Sequence, residues 1–298
     1  MRSLTVLATG PRSLLQDLGR PGRASSGVSI SGAFDRSALA LANRLVGNDD
    51  GLACIETVIG GLCLRADSTL TLAITGAVGV NRLDNRGGSR AVDHQAPLVL
   101  KAADVLEIGA PSRGLRTYIG VRGGIQAAEV LGSRSFDELA GLGPPPLTPG
   151  ETLPIGNDPG TPLIVDHVPW LPIPGLLEAI PGPHHGPDSA LLGEHALDVL
   201  QANSYTVHPS SNRIGVRLIG PGLPRLTGEL PSSPMRPGAI QVPGNGQPVI
   251  LGPDAPTTGG FPVLATLTPT SLDAIAQARP GDLIGFRILR GRGMASPT

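Results

Sequence analysis

Residues Arg236–Leu267 read RPGAIQVPGNGQPVILGPDAPTTGGFPVLATL. Ala239–Val242 is a short extended run, and Pro243–Gly246, Pro-Gly-Asn-Gly, is a turn. Val249–Leu251 reads as a buried strand, followed by a Gly-Pro-Asp loop. Thr257-Thr258-Gly259-Gly260 then leads into a strand over Phe261–Leu267. Prolines recur at the strand edges, where a missing N–H is tolerated. The paired glycines let backbone come close to another group. Two readings follow: a tight turn between barrel strands, or one wall of a binding site.

The rest of the chain has the same texture. Of 298 residues, 40% are hydrophobic but only 2% aromatic, so the core is built from Leu, Val, Ile and Ala. The 42 Gly and 31 Pro lie between apolar runs, which favours many turns and short strands over long helices. A formal net charge of −1 gives no electrostatic footprint for nucleic acid or an anionic membrane. Lys101 is the only lysine. The cysteines, Cys54 and Cys63, lie in an apolar stretch and read as small core residues. The N-terminal apolar run is broken by Gly10, Pro11 and Arg12, the pattern of a strand rather than a signal peptide. With no apolar run of about 18 residues, the expected location is the cytoplasm.

Asp35 stands at a helix start, with Ala38, Leu41, Ala42 and Leu45 at helical spacing and Gly47-Asn48 as the stop. Asp188 is expected to cap a second helix running through Leu200 to Asn203, and Ser271 to open a third. Strands are expected at Ser3–Ala8, on both sides of Gly60-Gly61, at Leu70–Ile74, Leu115–Val121, Ile164–Val168, Ile214–Ile219 and Asp282–Leu289. The proline-rich 143–150 stretch is the linker candidate. Three segments echo one another, starting at Lys101, Thr148 and Arg279: each is a turn ending in an acidic residue that feeds a strand. That recurrence points to two related β-rich units, residues 1–156 and 157–298.

No phosphate-binding G-x-x-x-x-G-K-[ST], dinucleotide fingerprint or serine elbow is present in the sequence. His184, His185 and His195 lack metal-site spacing and read as surface residues. Asp17 with Arg20, and Asp35 with Arg36, stand beside glycine-rich turns. They serve either as caps and turn hydrogen bonds or as a polar pocket, in which Arg grips an anion and Asp acts as base or orienter.

The strings QDLGRPG (16–22), SGAFDRSALALANRLVGN (31–48), VRGGI (121–125), LGSRS (131–135), SNRIGVRLIGP (211–221), PGAIQVPGNGQPVIL (237–251) and TTGGFPVLATL (257–267) run in order. Together they resemble the family of 5-oxoprolinase C subunits, also known as the KipA antikinase or allophanate hydrolase subunit 2 / biotin-dependent carboxyltransferase family. The resemblance implies tandem cyclophilin-like β-barrels with a few short helices, each barrel one domain. It implies a KipI-like B subunit as partner, a further A subunit for activity, and ATP-dependent opening of 5-oxoproline to glutamate. Carboxyl transfer in a urea-related system, or a KipA-like regulatory role, is the alternative; no Met-Lys biotin site is present, since Lys101 follows Leu100. The candidate site comprises Asp17 and Asp35 as catalytic carboxylates. Arg20, Arg36, Arg122, Gln241, Thr257, Thr258, Gly259 and Gly260 are its substrate- or anion-binding groups, with no metal. Two departures stand out: His184-His185-Gly186 where the family often has aromatic or acidic residues, and Ala255-Pro256 where an Arg-Gln pair often precedes Thr-Thr-Gly-Gly. The second removes an anion contact beside the expected site.

Overall fold

A computed structural model of the chain describes residues 2–85, 87–163, 167–169, 175–182, 188, 191–192, 195–226, 228 and 230–289. The chain forms two compact units, one of residues 1–22 and 30–172, the other of 23–29 and 173–298. Among the described residues it is mostly strand, with three α-helices.

The first unit contains β1 (Ser3–Thr9), β2 (Arg12–Gln16), α1 (Arg36–Leu45), β3 (Cys54–Val58), β4 (Leu62–Ala66), β5 (Leu70–Gly79) and β6 (Asn81–Asn85). It continues through β7 (Gly88–Val92), β8 (Pro97–Leu100), β9 (Val105–Glu107), β10 (Pro111–Val121) and β11 (Thr152–Pro154). They make a six-stranded sheet, β11-β1-β4-β9-β6-β7, and a five-stranded sheet, β2-β3-β10-β5-β8. Leu4, Leu64, Leu72, Leu106 and Ile119, all fully buried, share the apolar core of this unit. The chain changes sheet at Gly10-Pro11 and again at Gly60-Gly61, the corner device of packed sheets. Those corners touch: a Cβ on Gly10, whose φ is +62°, would lie 2.0 Å from the Gly60 carbonyl oxygen. No side chain fits there, so glycine is required.

Asp35 caps α1 as expected, accepting from the Ala38 N–H at 2.9 Å. The helix lies on the five-stranded sheet through Leu39 and Ala42, which pack with Tyr118 and Cys54. Cys54 is buried as expected, but Cys63 is only half-buried. Strand alternation explains it: Leu62 and Leu64 point inward, so Cys63 points the other way.

The second unit contains β12 (Leu176–Pro181), α2 (Ala196–Ala202), β13 (Tyr205–Val207), β14 (Gly215–Ile219), β15 (Ser233–Pro234), β16 (Ala239–Gln241) and β17 (Val249–Leu251). β18 (Thr258–Gly259), β19 (Val263–Leu267), α3 (Pro269–Ala276) and β20 (Leu283–Ile288) complete it. Seven strands close a barrel in the order β12-β19-β16-β17-β14-β13-β20, because β12 pairs antiparallel with β19 and parallel with β20. Closure is therefore seen in this unit, whereas the described part of the first unit is two sheets. The tandem-barrel form of the expectation is met in one unit only. Helix α3 starts earlier than Ser271: Thr268 is the cap, accepting from Ser271 N–H, with Pro269 in the first turn.

The three echoed turns share one geometry. Lys101, Thr148 and Arg279 each donate their N–H to the carboxylate three residues on, at 2.9, 3.0 and 2.8 Å. Each also accepts the N–H of that acidic residue on its own carbonyl, at 3.0, 3.2 and 3.0 Å. β9, β11 and β20 follow directly. The 143–150 stretch is sewn to the first unit, with Leu147 N–H on Ser13 O and Gly150 N–H on Val6 O. Residues 158–161 also belong there, through Arg122. Within the expected 164–168 strand, residues 164–166 lie outside the described residues, as do His184–Gly186 and most of the segment between Asp188 and His195. Helix α2 begins after His195, which makes no side-chain cap, and ends at Asn203. Among the described residues, no helix is long and apolar enough to cross a membrane.

Candidate functional site

The candidate residues fall in both units. In the first, QDLGRPG and LGSRS meet. Asp17 Oδ1 accepts from Gly19 N–H at 2.7 Å and Ser133 Oγ at 2.6 Å, and Oδ2 accepts from Arg134 N–H at 2.6 Å. The Arg20 side chain is fully buried. It donates to the carbonyls of Ser135 and Val130, and its Nη1 stands 3.9 Å from Asp137. Both side chains thus splice two loops, and neither offers a charged surface to a ligand.

Asp35 belongs to a second buried network. Its N–H donates to Tyr118 OH at 2.9 Å, and that hydroxyl donates to Glu56 Oε2 at 2.7 Å. Glu56 Oε2 also accepts from Phe34 N–H, and Oε1 lies 3.6 Å from Arg116 Nε. The Arg116 guanidinium stacks 4.6 Å above the Phe34 ring. Burial, with the Glu56 charge adding to it, holds the Tyr118 phenol protonated far above its usual range. Glu56 and Tyr118 face one another across β3 and β10. The sequence signal that was passed over is a glutamate inside an otherwise apolar strand, CIETV.

Arg36 donates to Leu18 O at 2.9 Å, tying the helix start to the Asp17 loop. Arg122 binds Asp158 through Nε and Nη2, and donates to Val46 O and Thr161 O. Its hydrogen bonds draw the Asp158 carboxyl down to about 2.

In the second unit, Gln241, Thr257, Thr258 and Gly259 come together. β18 pairs with β15, and Met235 N–H donates to Thr257 O at 2.8 Å. Gln241 is 7% exposed, and among the described residues its Nε2 reaches the Met235 sulfur at 3.2 Å and Phe261 O at 3.4 Å. A thioether is a weak acceptor, so this amide donor is held loosely. Gly259 has no positive φ; a Cβ there would sit 3.3 Å from Gln241 Nε2 and Met235 Cγ. Close packing, rather than backbone conformation, favours glycine at 259. Gly260 is exposed beside it.

The residue that the sequence reading missed is Arg225. Its guanidinium lies 5.9 Å from the centre of the Phe261 ring, which is 47% exposed. Its Nε is buried without a hydrogen-bond partner among the described residues, and Nη2 reaches Gly228 O only at 3.5 Å. Ala255 packs into an apolar cluster with Ala239 and Leu251. Behind this wall, Asp254 and Arg213 form a buried two-bond ion pair at 2.7 and 3.1 Å. Among the described residues, no group of three metal-ligating side chains occurs.

This combination of a β-rich first unit and a seven-stranded barrel is the architecture of carboxyltransferase domains. The solved structure of TTHA0988 superposes with a TM-score of 0.85 at 30% identity, over 96% of this chain and 56% of that one. The profile of the carboxyltransferase domain, subdomains A and B, matches residues 26–288, and the chain belongs to that family. It is 36% identical to the 5-oxoprolinase C subunit of Escherichia coli K12 over 95% of this chain and 90% of that protein. Similarity to the urea amidolyase of Saccharomyces cerevisiae is 30%, over 95% of this chain but 16% of that protein.

Proposed function

We infer that this chain is the C subunit of a 5-oxoprolinase. The observation that carries the reading is the near end-to-end match to a C subunit of that enzyme, against a match to a small part of a urea amidolyase. In the proposed reaction one water adds across the lactam C–N bond of 5-oxoproline, giving glutamate, while a second converts ATP to ADP and phosphate. A KipI-like B subunit and an A subunit complete the enzyme. The chain alone opens no lactam.

The proposed contribution of this chain is a substrate-facing wall. The Gln241 amide and the Thr258 hydroxyl donate to the substrate's oxygens, and Gly259 keeps the approach open. Arg225 supplies the anion contact that Ala255-Pro256 lacks. Asp17, Arg20 and Asp35 hold loops in place, and Arg36 ties two of them.

Co-expression with the A and B subunits, followed by assay of glutamate and ADP, tests this. Coupled production only in the full mixture is expected. Lactam opening by the isolated chain overturns the shared-enzyme reading. Association with the B subunit and biotin-dependent carboxylation of urea, without lactam opening, transfers the assignment to the carboxyltransferase alternative.

A further inference from the structure

On the outer face of the barrel lies an open cleft of about 630 Å³, within the size range of small-molecule sites. Its floor comes from β14 and β17, where Arg217 pairs with Val249. Ile219, 51% exposed, continues that face. Pro243 and Pro248, from the loop between β16 and β17, bound one side. The turn after β13, carrying His208 and Ser210, also lines it.

Arg217 supplies the fixed charge among the cleft's lining residues, beside the polar side chains of His208, Ser210, Asn245 and Gln247. The Arg217 guanidinium makes no hydrogen bond or ion pair among the described residues; only its main chain is used, with His208 N–H on Arg217 O and Arg217 N–H on Ser211 Oγ. Ser210 N–H donates to His208 Nδ1 at 3.1 Å, so Nδ1 is an acceptor and the remaining proton sits on Nε2. None of the ten lining residues is acidic. Gln247 is already spent in a two-bond pairing with Gly220, which fixes the loop.

A guanidinium unpaired among the described residues, at the edge of exposed Ile219 and half-buried Val249 and Pro243, matches a molecule with one anionic end and one apolar body. We propose that the cleft binds a small organic carboxylate, its carboxylate on Arg217 and its hydrocarbon part over Ile219, Val249 and Pro243. Arginine presents a fork that takes both carboxylate oxygens, and the apolar floor excludes water from the ligand's other end. The site is independent of the Gln241 wall and of the lactam reaction assigned to the chain.

The test uses 4-phenylbutyrate against the neutral 4-phenylbutanol as probes of the full chain. Chemical shifts of the His208 ring and the Ile219 methyls are followed through a titration. The acid is expected to bind saturably with shifts at both residues, and the alcohol at least about tenfold more weakly, the scale of a lost charge-assisted contact. Arg217→Gln, at an exposed position, leaves the melting temperature unchanged and brings the acid down to the affinity of the alcohol. Equal binding of acid and alcohol, undiminished acid binding by Arg217→Gln, or shifts confined to other residues would each overturn the proposal.

Discussion

The loop network around Arg20 and the wall around Gln241 hold similar residue types under opposite conditions. In the first, charged side chains are spent on backbone: Asp17 takes three donors, and Arg20 reaches two carbonyls from full burial. In the second, the polar side chains are under-used: Gln241 has a sulfur and a long carbonyl contact, and Arg225 has a buried nitrogen without a partner among the described residues. Arg20 Nη1 has no hydrogen bond among the described residues and only Asp137 at 3.9 Å, but the other contacts of this network give rigidity, because removing one member strands the others. An under-used donor in a packed wall is a cost to the fold that a ligand can offset. Asp17 and Arg20 thus hold loops together, whereas the Gln241 amide keeps a loosely held donor.

The largest effect is expected from Arg20→Ala. It removes the donor of the Ser135 and Val130 carbonyls and the buried cation 3.9 Å from Asp137, and breaking such a buried contact costs about 3–5 kcal/mol. That is a large part of the roughly 5–15 kcal/mol that holds a domain. Asp254→Ala should do the same to the barrel, where Arg213 loses both of its bonds to that carboxylate. Urea unfolding of each variant measures this. An Arg20→Ala protein as stable as the parent would break the contrast at its first half.

Next come the wall variants, judged in the reconstituted enzyme. Gln241→Ala and Arg225→Gln should each lower turnover about tenfold, the scale of one lost polar contact to a ligand. Melting should shift little, since the bonds lost are weak ones. Gly259→Val should reduce turnover further. It crowds the ends of Gln241 and Met235 rather than forcing a forbidden backbone, so the fold should survive. Parallel losses of melting temperature and turnover in all three would make the wall a structural element like the Arg20 network.

Much of the fold was legible in the sequence, and the reason is locality. The cap and period of α1 lie within one segment, and the turns at Lys101, Thr148 and Arg279 close over three residues. Closure of the barrel was legible only through the family resemblance, because it depends on β12 pairing with β20 more than 100 residues away. The site divides the same way. Gln241, Thr257 and Gly259 lie on the stretch that drew attention first. Arg225 is 36 residues from Phe261, and Glu56 is 62 from Tyr118. Pairings at that range are set by strand register, which a single sequence does not display. Arg20 shows the same limit: its loop reads correctly as polar and turn-rich, yet nothing nearby announces that its partners are carbonyls at 130 and 135.

A smaller, pH-dependent effect comes from His94, partly buried in the first unit. Burial, with His167 nearby, lowers its affinity for a proton below the ordinary value of 6.5. The folded state therefore prefers the neutral ring. Its contribution is present in full above 6.5 and declines as the pH falls below it, because the unfolded chain takes up the proton first. Unfolding midpoints of the parent and His94→Gln should differ by a constant amount above pH 7, and the parent should fall relative to the variant below pH 6. Parallel pH profiles would remove His94 as the cause.

The smallest effect is expected at Asp158, in its solvent-facing ion pair with Arg122. The carboxylate accepts from Arg122 Nε at 2.8 Å and from Gly160 N–H at 2.9 Å, and these bonds, Arg122 foremost, lower its value from 3.8 to about 2. A carboxyl lowered by folding stabilises the fold where it is ionised in both states. That contribution is complete above 3.8 and disappears as the pH falls through 2. Its size is limited, because the Asp158 side chain is 54% exposed and water and salt screen the pair. Arg122 also keeps Val46 O and Thr161 O when the carboxylate is removed, so no bare charge is left behind. Asp158→Asn should thus melt slightly below the parent at neutral pH. The gap should narrow with added salt and narrow again as the pH is lowered towards 2. A large gap that neither salt nor acid diminishes would mean that Asp158 works through packing. It would then belong with Arg20 among the buried struts rather than at the solvent-facing edge.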